Sequence, residues 1–163
     1  MTTAHKLLTL DTLPAWRDAQ RAAGRRVVVT NGVFDLLHVG HITYLETARS
    51  LGDLLLIGVN GDDSVRQLKG PTRPLNPEAD RAQILAALAC VDATCIFPEM
   101  RAVNFLKVAR PDIYVKGGDY TLDTIDQNER QAVESAGGRI EFIRFVEGKS
   151  TTRLVEKMKA PQG

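Results

Sequence analysis

The strongest constraint on the fold is a pair of runs with no in–out alternation. Val27-Val28-Val29-Thr30 and Leu54-Leu55-Leu56-Ile57-Gly58-Val59 are apolar or small almost throughout. Such a strand must be covered on both faces, as a central strand of a parallel sheet is. Parallel neighbours need long crossovers, and the intervening segments have helical character. Val39 to Leu51 sets Ile42, Leu45, Ala48 and Leu51 at helical spacing and stops at Gly52.

The alternation continues along the chain. Further strands are expected at Ala93–Phe97, Asp112–Lys116 and Arg139–Val146. Further helices are expected at 12–23, 62–68, 77–89, 100–109, 127–136 and 151–159. Asn76 is the expected N-cap of the third of these, with Pro77 at its first position. Right-handed crossovers then give an α/β, doubly wound, Rossmann-like fold with a five-stranded parallel sheet and helices on both faces. A single domain over 1–163 is expected, with its core at 27–158. Ligands of such sheets sit beyond the carboxyl ends of the strands, at the switch point.

Composition narrows the partners. Twenty-one basic side chains face twenty acidic ones, a net charge of +1, which speaks against bulk nucleic-acid binding. The longest apolar run, Ile84 to Val91, is far short of the ~20 residues of a bilayer span. Met1 to Leu10 has no apolar signal-peptide region, so a cytoplasmic protein with no membrane partner is expected. Cys90 and Cys95 lack zinc-site spacing and are too few for a disulfide framework.

The unusual residues follow the first strand, in Asn31-Gly32-Val33-Phe34-Asp35-Leu36-Leu37-His38-Val39-Gly40-His41. Two of the three histidines stand there, three residues apart, with Gly40 between them. If a helix starts near His38, both imidazoles share its N-terminal face, where free N–H groups and the helix dipole favour a phosphate. A satisfied structural histidine is the bland alternative. A zinc pair would need a third ligand in a partner motif, which the sequence does not supply. No G-x-x-x-x-G-K-[ST] and no G-x-G-x-x-G after the first strand is present, which sets aside a P-loop and a dinucleotide fingerprint.

The segment Gly32 to His41 resembles the signature of the HIGH-type nucleotidyltransferases, the cytidylyltransferase-like superfamily. Arg81 with Val91-Asp92, Val115-Lys116-Gly117-Gly118-Asp119-Tyr120 and Glu147-Gly148-Lys149-Ser150-Thr151-Thr152 resemble its later blocks, in order. Thr30-Asn31-Gly32, Leu68-Lys69-Gly70, Arg73-Pro74-Leu75-Asn76-Pro77 and the Lys116–Tyr120 loop are similar to the subfamily of bacterial heptose 1-phosphate adenylyltransferases.

That resemblance implies ATP and a sugar 1-phosphate as substrates, with Mg²⁺ accompanying ATP and no direct protein ligand to the metal. It implies His38, His41, Lys69, Ser150 and Thr151 as catalytic residues. Asn31, Gly32, Val33, Phe34, Gly40, Arg81, Gly118, Asp119 and Thr152 are implied on the nucleotide side. Asp35 and Lys116 are implied for the sugar phosphate, though Asp35 is also read as a structural cap. A homodimer is implied, and a stand-alone form whose heptose kinase is a separate protein. A same-fold transferase acting on glycerol 3-phosphate or another phospho-alcohol, and a catalytically silent nucleotide-binding module, are the alternatives.

Overall fold

The computed structural model describes residues 2–144. A short 3-10 turn at Ala4–Lys6 leads into β1 (Leu7–Leu8). There follow α1 (Leu13–Ala22), β2 (Val27–Gly32), α2 (Val39–Ser50), β3 (Leu54–Asn60), α3 (Asp62–Lys69) and α4 (Glu78–Ala86). The rest is β4 (Ala93–Phe97), α5 (Val103–Ala109), β5 (Ile113–Gly117), α6 (Gln127–Ser135) and β6 (Arg139–Ile143). The expected helix at 151–159 lies outside the described residues.

The strands form one sheet in the order β1-β4-β3-β2-β5-β6, and every pairing is parallel. The α/β, doubly wound architecture is as expected, but the sheet has six strands rather than five. The additional strand is β1, which sets Leu7 against Thr94 and Leu8 against Cys95. Two residues carry no periodicity of their own, and β1 exists because the β4 edge accepts it. The Lys6 ammonium anchors it by donating to the Val91 carbonyl at 2.6 Å.

The all-apolar strands behave as their composition demands. Val27, Val29, Leu56, Phe97 and Tyr114 pack on one face with Leu13 of α1, Phe105 and Leu106 of α5 and Val133 of α6. Val28, Leu55, Ile57, Val59, Ile113 and Val115 pack on the other with Leu45 of α2 and Leu85 of α4. Successive side chains of a strand point to opposite faces, so both helical layers are needed to cover it.

Carboxylates close the amino ends of the strands. Asp53 accepts from the Arg26 N–H at 2.7 Å, Asp112 from Val27 at 2.7 Å and Asp92 from Leu55 at 2.8 Å. Arg17 of α1, fully buried, meets Asp112 at 2.8 Å and donates to the Arg110 carbonyl at 2.9 Å. The amino edge is thus structural, and the carboxyl edge carries the unusual residues. The chain runs outward from β2 through β3 to β4, then returns to β5 on β2's other side, so the switch point lies between β2 and β5.

Close packing requires glycine at Gly58 of β3, where an added Cβ would stand 2.6 Å from the Phe105 ring. That ring is itself stacked on Phe97 with centroids 5.2 Å apart. Gly58→Ala therefore overpacks the core and is expected to cost about 1–3 kcal/mol in urea unfolding. An unchanged midpoint and slope would contradict this packing.

Candidate active site

The turn from β2 into α2 builds the site. His38 is the N-cap of α2, with φ −139° and ψ 169°, and the His41 N–H donates to its carbonyl at 2.9 Å. The i, i+3 spacing stacks the two imidazoles, with centroids 4.0 Å apart and planes 28° apart. His41 Nδ1 accepts from the His38 backbone N–H at 3.3 Å. Burial, and then the neighbouring His38, push the His41 pKa down from 6.5 to about 4. At neutral pH His41 is therefore an uncharged imidazole. Because Nδ1 accepts, Nε2 carries the proton and is its remaining donor. The first turn of α2 contains no acidic residue to compete for its N–H groups.

Phe34 shapes this turn. Its φ of 47° is left-handed, a conformation that costs a non-glycine residue on the order of 1–2 kcal/mol. Its ring packs edge-on to His41 with centroids 5.6 Å apart. A Cβ at Gly32 would stand 2.9 Å from the same ring, so glycine there leaves room for it.

Two buried ionic groups hold the turn in place. The Arg81 guanidinium is 0% exposed. It donates to the carbonyls of Val33 at 2.5 Å, Asn60 at 2.8 Å and Asn76 at 3.0 Å, and to Asp62 at 2.7 Å. Asp35 accepts from Arg73 at 2.8 Å and from the N–H groups of Leu75 and Asn76 at 2.9 Å. The Asn76 side chain donates to the Asp35 carbonyl at 2.9 Å.

These contacts give two of the expected site residues a structural role and correct one expectation. Arg81 is engaged by protein oxygens at four of its five N–H positions, which makes it a tie beneath the turn. Asp35 fastens the loop over 73–76 to the turn. Asn76 is drawn to Asp35, and Pro77 takes the N-cap position of α4.

The remaining residues lie along the same edge. Asn31 and Lys116 are the next-to-last residues of β2 and β5, with the Lys116 ammonium 3.4 Å from Asn31 Oδ1. Gly118 has a positive φ of 112° and donates to the Ile143 carbonyl at 3.0 Å. Lys69 closes α3 and Asp119 follows β5, both exposed. Gly40 is buried in the first turn of α2. Ser150, Thr151 and Thr152 lie outside the described residues. Among the described residues, no group of three or more His, Cys, Asp or Glu is arranged to hold a metal ion. None of the described helices is long and apolar enough to cross a membrane.

Glu129 of α6 was not foreseen. It is 2% exposed and lies 3.0 Å from both the Lys116 ammonium and the Tyr114 hydroxyl. In sequence it is the acidic residue three positions after Asp126, as at many helix starts.

Comparison with known proteins shows the family. Residues 29–157 match the Cytidylyltransferase-like family. The chain belongs to this family of nucleotidyltransferases. It is 52% identical over 153 residues to "Bifunctional protein HldE" of Geobacter sulfurreducens, covering 94% of this chain and 31% of that protein. The protein of the same name from Trichlorobacter lovleyi is 54% identical over 140 residues, covering 86% of this chain and 28% of that protein. The chain thus spans about a third of the length of these curated relatives. A lipopolysaccharide core biosynthesis protein from Thermoplasma volcanium is 30% identical with a TM-score of 0.62, covering 77% of this chain and 100% of that one. A pantoate-beta-alanine ligase from Francisella tularensis also has a TM-score of 0.62, over 94% of this chain and 76% of that one. At 14% identity it shares the fold alone.

The depressed His41 pKa has a thermodynamic consequence. Between about 6.5 and about 4 the unfolded chain binds the proton more readily than the folded one. This contribution to stability is therefore present above pH 6.5 and lost as the pH falls through that window. In urea unfolding across that range, His41→Gln is expected to lose less stability than wild type. Parallel losses in the two proteins would contradict a buried, neutral His41.

Proposed function

We propose that the chain is an adenylyltransferase that moves AMP from ATP to D-glycero-β-D-manno-heptose 1-phosphate, releasing pyrophosphate and giving ADP-heptose for lipopolysaccharide core synthesis. The observation that carries this reading is the stacked His38–His41 pair at the start of α2, where β2 ends beside β5. The likeness to proteins named HldE and to a lipopolysaccharide core biosynthesis protein supports the heptose pathway.

The sugar phosphate is largely dianionic at neutral pH, because its second pKa is about 6. One of its oxygens attacks the α-phosphorus, the bond from that phosphorus to the bridging oxygen breaks, and pyrophosphate leaves with the electron pair. No proton must be removed from the nucleophile. Catalysis then rests on alignment and on donors aimed at developing negative charge.

The His41 Nε2–H, His38 and the α2 N–H groups supply such donors at the α-phosphate. Lys69, Ser150, Thr151 and Thr152 serve the β- and γ-phosphates, and Gly118 and Asp119 the nucleoside. Lys116 meets the sugar phosphate. ATP is taken as its Mg²⁺ complex, in which the ion neutralises phosphate charge while keeping much of its water shell. In this reading a kinase reaction supplies the sugar 1-phosphate, by transfer of a phosphoryl group to the anomeric hydroxyl.

Pyrophosphate release should be followed with ATP or CTP against a panel of sugar 1-phosphates and glycerol 3-phosphate. Turnover is expected with ATP and the heptose 1-phosphate. His38→Ala and His41→Ala are each expected to lower kcat about 10²–10³-fold with the fold intact. Turnover only with CTP or glycerol 3-phosphate would overturn the substrate assignment. Near-wild-type kcat in both variants would overturn the mechanism.

A further inference from the structure

A buried network lies directly behind the candidate site. Glu129 stands in the first turn of α6, where Asp126 caps the helix by accepting from the Asn128 and Glu129 N–H groups. Its side chain turns away from solvent and is 2% exposed. Oε1 accepts from the Ala102 N–H, at the start of α5, at 3.0 Å. Oε2 lies 3.0 Å from the Lys116 ammonium and 3.0 Å from the Tyr114 hydroxyl. Tyr114 Oη is also 2.6 Å from Asn31 Oδ1. Burial, and then Glu129, push the Tyr114 pKa well up, so the hydroxyl keeps its proton.

A carboxylate taken out of water costs several kcal/mol unless its oxygens are matched. Here three donors match it, and one of them is a cation. The arrangement joins α6 and the start of α5 to the carboxyl ends of β2 and β5. Those are the two strands that flank the switch point.

Lys116 is the member of the network that reaches the site. Its side chain is 18% exposed, and its ammonium lies 5.3 Å from the Tyr114 ring centroid and 6.0 Å from that of Tyr120. An ammonium has three N–H bonds. Glu129 at 3.0 Å and Asn31 at 3.4 Å take two of them and fix the end of an otherwise flexible side chain.

We propose that Glu129 is a positioning residue, which holds the Lys116 ammonium at the carboxyl ends of β2 and β5 so that its third N–H meets the phosphate of the acceptor substrate. This rests on the adenylyltransferase reading for the identity of that phosphate. Glu129 itself touches no substrate. Its effect on the reaction passes through Lys116.

The test is a double-mutant cycle of Glu129→Gln and Lys116→Met in the full chain. It is read as KM for the sugar 1-phosphate and as kcat, with melting temperature and calorimetric ATP affinity alongside. Each single change is expected to raise KM on the order of tenfold, with a smaller change in kcat and ATP affinity retained. The double variant is expected to be no worse than Lys116→Met alone, since Glu129 has nothing left to position. Additive losses, or a lowered melting temperature with KM unchanged, would overturn the proposal. If wild type releases no pyrophosphate with any sugar 1-phosphate, the functional reading fails separately. The same cycle is then read on calorimetric affinity for inorganic phosphate, the simplest anion Lys116 would hold, where coupled losses support positioning and additive or absent losses overturn it.

Discussion

The site depends on one buried guanidinium. Arg81 joins α4 to the end of β3, the start of α3, the loop before α4 and the turn after β2, through four hydrogen bonds. Removing an arginine from water is offset only when acceptors surround it, and its planar fork suits several carbonyls at once. Its bond to the Val33 carbonyl fixes the residue just before Phe34. Phe34 is thereby kept in its left-handed conformation against His41. The Asp35 carboxylate fastens the other side of the same turn to the loop over 73–76. The histidine pair therefore stands on a turn clamped from beneath and from the side.

The two ends of the sheet use charge differently. At the amino ends, Asp53, Asp92 and Asp112 satisfy strand-entry N–H groups and receive arginines from nearby segments. At the carboxyl ends of β2 and β5, Lys116 is held by Glu129, and neutral His41 keeps its Nε2–H. In the proposed reaction, an uncharged imidazole beside a helix N-terminus would donate to a phosphate without the desolvation cost of a second buried cation.

Local features were legible in the sequence. The apolar runs gave β2 and β3 because a strand buried on both faces needs no alternation. The histidine pair was legible because i, i+3 spacing at a helix start sets its own geometry. Features that depend on distant segments were not. The two residues of β1 have no pattern apart from the β4 edge. Asn76 has the chemistry of an N-cap, but Asp35, 41 positions away, draws both its backbone and its side chain. The resemblance implies Arg81 on the nucleotide side and Glu129 reads as an ordinary charged helix residue, and only packing shows that both are buried and surrounded by protein partners. The position of Glu129 after Asp126 carries the look of a helix cap, while its carboxylate serves β5 instead.

In the proposed reaction the clamped histidine turn directs attack to the α-phosphorus of ATP. The most direct measurement is ³¹P NMR of the protein incubated with Mg²⁺, ATP and D-glycero-β-D-manno-heptose 1-phosphate. Loss of the sugar monophosphate signal, growth of a diphosphate doublet pair for the nucleotide sugar, and inorganic pyrophosphate in equal amount are expected. Formation of ADP with transfer or release of the γ-phosphate would contradict the proposed reaction.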